Sequence, residues 1–234
     1  MTNQGVSEHH SPVVRALHTR RSIREGFTDQ RVSEQDIIAV LVSAQNAASS
    51  KNSQPWRLHV VTTDSILKEI AGYVESARDG ADFVPHDPVT GRRRKWRSTT
   101  RESAHVLSLV PLAIIVENTG PFSGGRRAVA TARGKALESA LIGYAIEMVS
   151  HGIAIDAMMT AAMDLGLSGV IMGDVLVAEE QIQERLGFEG DLVAVLALGY
   201  SDARPYPKSL KDLEEIVVRH LCFRNLLVAQ PTSW

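Results

Sequence analysis

Pro111-Leu-Ala-Ile-Ile-Val116 is a continuous apolar run, opened by a proline and closed by Glu117-Asn118. A strand with one face in water alternates apolar and polar residues, whereas a strand with no polar position needs cover on both faces. The run therefore predicts a central strand between two layers, and Leu192–Leu198 predicts a second buried strand. Trp56, Leu58, Val60 and Thr62 alternate with Arg57 and His59, giving a half-exposed strand over 56–63, and Val170-Ile-Met172 gives a short fourth strand.

The layers that cover these strands must be helical. Ser11-Pro12 places a capping hydroxyl before a proline at the first helical position, which suits a helix carrying Val13, Val14 and Leu17 and ending near Thr19. Ser33 followed by Asp36 resembles a capping box for a helix over 34–47, with Ile37, Ile38, Leu41 and Val42 as its apolar stripe. Asp64 caps a helix carrying Ile66, Leu67, Ile70 and Val74. The apolar, Ala- and Met-rich stretch Ala136–Leu165, interrupted by His151-Gly152, predicts two successive buried helices, and Glu179–Leu186 predicts a short one stopped by Gly187. Met158, Met159 and Met163 read as core filler.

Helices and strands alternate without a βαβ period, so the expected class is α+β, a three-layer arrangement with a mixed or antiparallel central sheet flanked by helices. Residues 1–10 are polar and read as a flexible terminus. One domain covers 11–217, with the polar segment 80–101 as a lid and another polar, glycine-containing stretch at 118–134. Residues 218–234 form an apolar C-terminal extension that needs its own domain or a partner chain to cover it.

Lys and Arg number 25 against 27 Asp and Glu, so no overall field favours nucleic acid or an anionic membrane. A single cysteine, Cys222, forms no internal disulfide, and nothing at the amino end has the order of a signal peptide. The longest uninterrupted apolar run is too short for a bilayer, and the expected location is cytoplasmic, without a membrane anchor.

Two polar segments carry the candidate chemistry. Arg20-Arg21-Ser22-Ile23-Arg24 sets three guanidinium groups and a hydroxyl directly after a helix, a composition matched to phosphate oxygens, although alone it also describes a solvated basic turn. Ala47–Trp56 concentrates hydroxyl and amide groups between a helix and a strand, enough to read the polar edge of a planar heterocycle, although alone it also describes an ordinary turn.

Taken together, Arg-Arg-Ser-x-Arg and Ser-x-x-Asn-x-Gln-Pro-Trp resemble the signature of the nitroreductase family of flavoproteins. The resemblance continues through Pro111–Val116, Asp164–Gly173, Leu196–Tyr200 and Pro205–Val217. It implies FMN bound at the interface of an obligate homodimer. Arg20, Arg21, Ser22 and Arg24 would meet the phosphate and ribityl chain, with Lys208 or Lys211 adding charge. Ser49, Ser50 and Asn52 would approach from the other subunit, and the backbone at Met172 and Gly173 would lie beside the ring. It further implies NADH or NADPH as co-substrate, a nitroaromatic, quinone, flavin or similar small acceptor, and no catalytic triad, because the ring carries the chemistry. A flavin-dependent oxidase, dehydrogenase or dehalogenase of one metabolite, or a non-catalytic FMN store, are the alternatives. Ala48, where many members have proline, and the basic run Arg92–Arg101 depart from the pattern.

Other signals fail. Gly134-Lys135-Ala136 lacks the leading glycine and the final hydroxyl of a P-loop, and Gly166, Gly169 and Gly173 do not match the dinucleotide fingerprint. The scattered histidines lack the spacing of a metal site, and none is expected.

Overall fold

A computed structural model describes residues 11–77, 86–87, 89–92, 99–205 and 209–220. Among the described residues four strands form one sheet: β1 (Trp56–Val61), β2 (Leu112–Asn118), β3 (Ser168–Met172) and β4 (Asp191–Gly199). Their order is β1-β2-β4-β3 and every neighbouring pair is antiparallel, which settles the mixed-or-antiparallel alternative. The two strands without polar alternation, β2 and β4, are the central pair.

Both faces of this pair are covered. Leu112, Ile114 and Val116 of β2, with Ala194, Leu196 and Leu198 of β4, pack against α2 (Glu34–Gln45) and α6 (Gly134–Asp164). Ala113 and Ile115, with Leu192, Val195 and Ala197, pack against α3 (Asp64–Ser76), α4 (Thr100–Leu109) and α7 (Glu179–Leu186). The register explains why Leu192 shares a face with Val195 and Ala197. Val116 pairs with Ala194 but Glu117 pairs with Leu192, so Val193 is the extra residue of a bulge that reverses the facing parity.

Local chemistry sets several boundaries. Ser33 Oγ accepts from the Asp36 amide at 3.1 Å and donates to the Asp36 carboxylate at 2.7 Å, starting α2. Gly187, at φ +72°, ends α7 in the left-handed region that a side chain disfavours. The N-cap of α3 is Thr63, with Asp64 already inside the helix. On α2 the expected stripe splits: Ile37 is buried with Val40 and Ala44, while Ile38 and Val42 are exposed.

Three expectations change. The stretch 136–165 is not two helices but the single α6, because His151 turns its ring into the core and Gly152 faces outward, so neither interrupts the turn. Glycine in a helix interior costs roughly 1 kcal/mol, which the packing of so long a helix offsets. By length and composition α6 could also cross a membrane, unlike the short run considered above, yet it lies on the sheet and α2 with Glu147 and His151 buried on that side. The stretch 118–134, read as a polar loop, contains α5 (Gly125–Thr131), a seven-residue helix of which only Gly125 is buried, and α4 begins where the expected lid ends. The N-terminal α1 (Pro12–Thr19) forms as expected but buries none of its residues. Residues 1–10, most of 80–98 and 221–234 lie outside the described residues, and so does most of the expected lid and C-terminal extension.

Gly169 on β3 has no room for a side chain: a Cβ there would lie 2.3 Å from the Ala197 carbonyl oxygen. Gly169→Ala is expected to destabilise the fold by about 1–3 kcal/mol, the usual cost of overpacking against backbone. A urea midpoint equal to that of the parent protein would contradict this.

Candidate active site

The arginine turn is registered against the edge of the sheet. The Ile23 amide donates to the Gly169 carbonyl of β3 at 2.9 Å, so residues 22–24 run beside that strand. Ser22, Arg24, Glu102, His105 and Arg204 help to line a cavity of about 370 Å³ there. Arg24 Nε lies 3.2 Å from Glu102 Oε2, with both side chains half-exposed. The other two guanidinium groups turn elsewhere. Arg20 Nε is 4.0 Å from Asp156 Oδ1 on α6, and Arg21 Nη1 donates to the carbonyls of His18 and Arg20, closing the end of α1. Arg204 was not foreseen, since a lone arginine before Pro205 carries no motif. Lys208 lies outside the described residues, and Lys211 is exposed.

Three residues beyond Gly169, β3 ends at Met172, and Gly173 follows it. The Met172 side chain is buried in the core, so only its backbone is available. Gly173 is exposed, and a Cβ there would meet nothing within 4 Å, so the space on that side of its backbone is open.

The polar loop 49–54 sits on α6 instead, away from the Arg24 cavity. Lys51, Asn52 and Gln54 all adopt positive φ, at 52°, 54° and 43°, a concentration of left-handed non-glycine residues that a chain tolerates where a site requires it. Ser49 Oγ accepts from the Gln54 amide at 3.0 Å, Gln54 Nε2 donates to Asn52 Oδ1 at 3.3 Å, and the Ser50 amide donates to Ser150 Oγ of α6 at 3.3 Å. Ser49, Ser50, Ile146, Val149, Ser150 and Ile153 line a second cavity of about 370 Å³. Ile142, Ile146, Val149 and Ile153 recur at helical spacing on α6, and all are exposed. The two predicted segments thus lie at separate places in one chain.

A buried polar chain supports the loop from beneath. Glu147 is fully buried and accepts from Asn118 Nδ2 (2.9 Å), the Phe122 and Ser123 amides (2.7 and 2.8 Å) and Ser123 Oγ (2.6 Å). Burial pushes its carboxyl pKa up, and these donors together outweigh burial and hold it below the ordinary carboxylate value. Because Asn118 gives its amide group to Glu147, its Oδ1 is the acceptor for His151 Nε2 at 3.0 Å, which fixes the Nε2–H tautomer. His151 is 1% exposed, meets Trp56 edge-on with ring centroids 6.3 Å apart, and is pushed down to about 4 by burial. Thr119 bonds the Pro55 carbonyl through both its amide and its hydroxyl, tying the end of the loop to the same network. Among the described residues no group of three His, Cys, Asp or Glu side chains converges as a metal site.

The chain matches the Nitroreductase family over residues 17–200, and it belongs to that family. It is 31% identical over 97 residues to a nitrobenzene nitroreductase of Ectopseudomonas oleovorans, across 37% of this chain and 43% of that protein. The chain spans less than half the length of the curated relatives it matches, 43% and 33% for two of them. Solved structures show the same fold. A BluB-like flavoprotein from Clostridium difficile superposes with a TM-score of 0.66 at 24% identity, over 90% of this chain and 99% of its own. The NADPH:FMN oxidoreductase from Vibrio harveyi, complexed with NAD+, superposes with a TM-score of 0.65 at 18% identity, over 90% and 78%.

The buried His151 has a folded pKa below its unfolded value, so the unfolded chain binds the extra proton first as pH falls. Its contribution is intact above pH 6.5 and lost towards pH 4, on the order of 3 kcal/mol in all. Glu147, also depressed, adds a loss below the ordinary carboxylate value. Stability measured by urea unfolding from pH 7 to 4 should fall more steeply in the parent protein than in His151→Gln. Parallel pH profiles would show that His151 does not titrate in this way.

Proposed function

We propose that this chain is an FMN-dependent oxidoreductase that takes reducing equivalents from NADH or NADPH and passes them to a small acceptor, within a homodimer whose subunits share each flavin site. The observation that carries the reading is the bond from the Ile23 amide to the Gly169 carbonyl. It aligns the Arg24 turn with a strand whose open glycine, Gly173, lies four residues further on, roughly 13 Å along β3. That span is comparable with a ribityl phosphate and the near edge of a flavin ring.

The residues fit such a group. Arg24, Ser22 and Arg204 supply charge and donors for a phosphate, and Arg24 can leave its half-exposed partner Glu102 at little cost, since exposed ion pairs contribute at most about 1 kcal/mol. Gly173 offers a backbone N–H with no side chain in the way. Bound FMN would supply two-electron hydride exchange, first with NAD(P)H and then with the acceptor in the same place. The chain's own part is to orient the ring with backbone donors and neutralise the phosphate. Arg20 and Arg21 shape the turn through Asp156 and the α1 carbonyls, and Lys208 or Lys211 adds charge from the closing segment. The nitrobenzene nitroreductase among its relatives favours a nitroaromatic or similarly electron-poor acceptor.

The second subunit is inferred from the α6 stripe. Ile142, Ile146, Val149 and Ile153 form a continuous apolar face beside Ser49 and Ser50, the residues that would meet a flavin held mainly by the other chain. Leu210, Leu213, Ile216 and Val218 are likewise exposed, and we assign them, with the extension to 234, to packing on the partner. We take 11–217 as the FMN-binding domain and 80–101 as its lid.

FMN titration is the direct test. Parent protein should bind FMN and, under anaerobic mixing with NADH or NADPH, lose its oxidised flavin absorbance. A protein that takes up no FMN ends the reading, and one that stays yellow with both nicotinamides is a store. Arg24→Ala should weaken FMN binding by about 1.5–3 kcal/mol; equal affinity removes Arg24 from the site. Val149→Asp should convert a dimer to monomer in sedimentation and lower FMN affinity with it, whereas an intact dimer would place the interface elsewhere.

A further inference from the structure

The first turn of α4 grips both ends of the proposed flavin strip. Thr99 occupies the N-cap position, where its hydroxyl would ordinarily accept from an amide of the helix that follows, yet it makes no such bond. Its Oγ1 donates instead to Asp174 Oδ2, and Ser103 Oγ, one turn further on, donates to the same oxygen at 3.4 Å. Ser103 is 5% exposed, and Thr99 and Asp174 are partly buried. Asp174 follows Gly173 directly, and the Leu176 amide closes the turn by donating to the Gly173 carbonyl at 3.1 Å. Between Thr99 and Ser103 on the same turn stands Glu102, which holds Arg24 at 3.2 Å.

We propose that Thr99 and Ser103 are positioning residues which, through Asp174, fix the direction of the Gly173 backbone amide and so set how readily the bound flavin is reduced. The inference rests on the reading that Gly173 lies beside the ring. The peptide that carries this amide is anchored on its β3 side, where Met172 pairs with Val195. On its far side the carboxylate of the next residue, clamped by two hydroxyls on a packed helix, holds it from behind. A donor aimed at a ring nitrogen stabilises the negative charge that builds there on reduction, and its effect depends steeply on alignment. The clamp is apt for this role because it touches the residue after the donor and leaves the donor itself free. Glu102, from the same turn, orients Arg24, so the phosphate end and the ring end are referenced to one rigid element.

The test uses the full chain with Thr99→Val and Ser103→Ala, singly and combined, and Thr99→Ser as the conservative variant. In FMN-free protein, amide hydrogen exchange across 172–176 should quicken at least tenfold in the double variant and return towards the parent rate in Thr99→Ser. In FMN-loaded protein, the affinity for FMN should stay within about threefold. The flavin midpoint potential should become more negative, and the rate of reduction by NAD(P)H at saturation should fall by an order of magnitude with KM little changed. Quicker exchange or a lower melting temperature with an unmoved potential would reduce the clamp to a structural contact and overturn the proposal, as would unchanged exchange. If the parent protein takes up no FMN, the cofactor reading fails and this role fails with it. If only the variants' potential is unmoved, the cofactor reading stands and this role alone falls.

Discussion

The rest of the molecule depends on the pairing of β2 with β4. Both strands are apolar on both faces, so neither is stable until each side of the sheet is covered. The two helical layers are the consequence. Each fully buried Leu or Ile of this pair removes side-chain surface from water worth roughly 1.5–3 kcal/mol, which no exposed contact in the chain approaches. The bulge at Val193 shows how firmly the core dictates detail. Without an extra residue, Leu192 would face the α2–α6 layer instead of Phe188 and Ile182.

The candidate site lies where this scaffold ends. β3 is an edge strand, and the arginine turn takes up its free hydrogen-bonding side at Gly169, so the segment proposed to bind phosphate is placed by sheet geometry. The polar loop is placed by different means, through Ser150, Thr119 and the edge of Trp56 against His151. Its surroundings include the buried Glu147 carboxylate, which accepts four hydrogen bonds, an arrangement that rigidifies when complete and is costly when broken. The positive-φ backbone at Lys51, Asn52 and Gln54 is held by the loop's own bonds, the Gln54 amide to Ser49 Oγ and Gln54 Nε2 to Asn52 Oδ1, and by the Ser50 amide on Ser150.

These two groups of residues do not meet within one chain, and the exposed stripe on α6 runs beside the loop. Among the described residues a single chain thus carries two separate candidate half-sites and an uncovered apolar stripe on α6. The assembly proposed above answers both features with one contact.

Much of this was legible in the residues themselves. Apolar runs without alternation fixed which strands are central, Ser33-x-x-Asp36 and Gly187 fixed helix ends, and two short polar segments in combination pointed to a nitroreductase-like flavoprotein. These are local or pairwise patterns, and local physics writes them into the chain directly. Only the tertiary structure decided that His151-Gly152 does not break α6, because the partner that buries the imidazole, Asn118, is 33 positions away in sequence. Only the fold could separate Arg24, which lines the cavity, from Arg20, which faces Asp156 of α6, and Arg21, which closes the end of α1, and add Arg204 and the Thr99–Asp174 contact. A side chain's type states which bonds it can make; which one it makes depends on what the folded chain brings within reach.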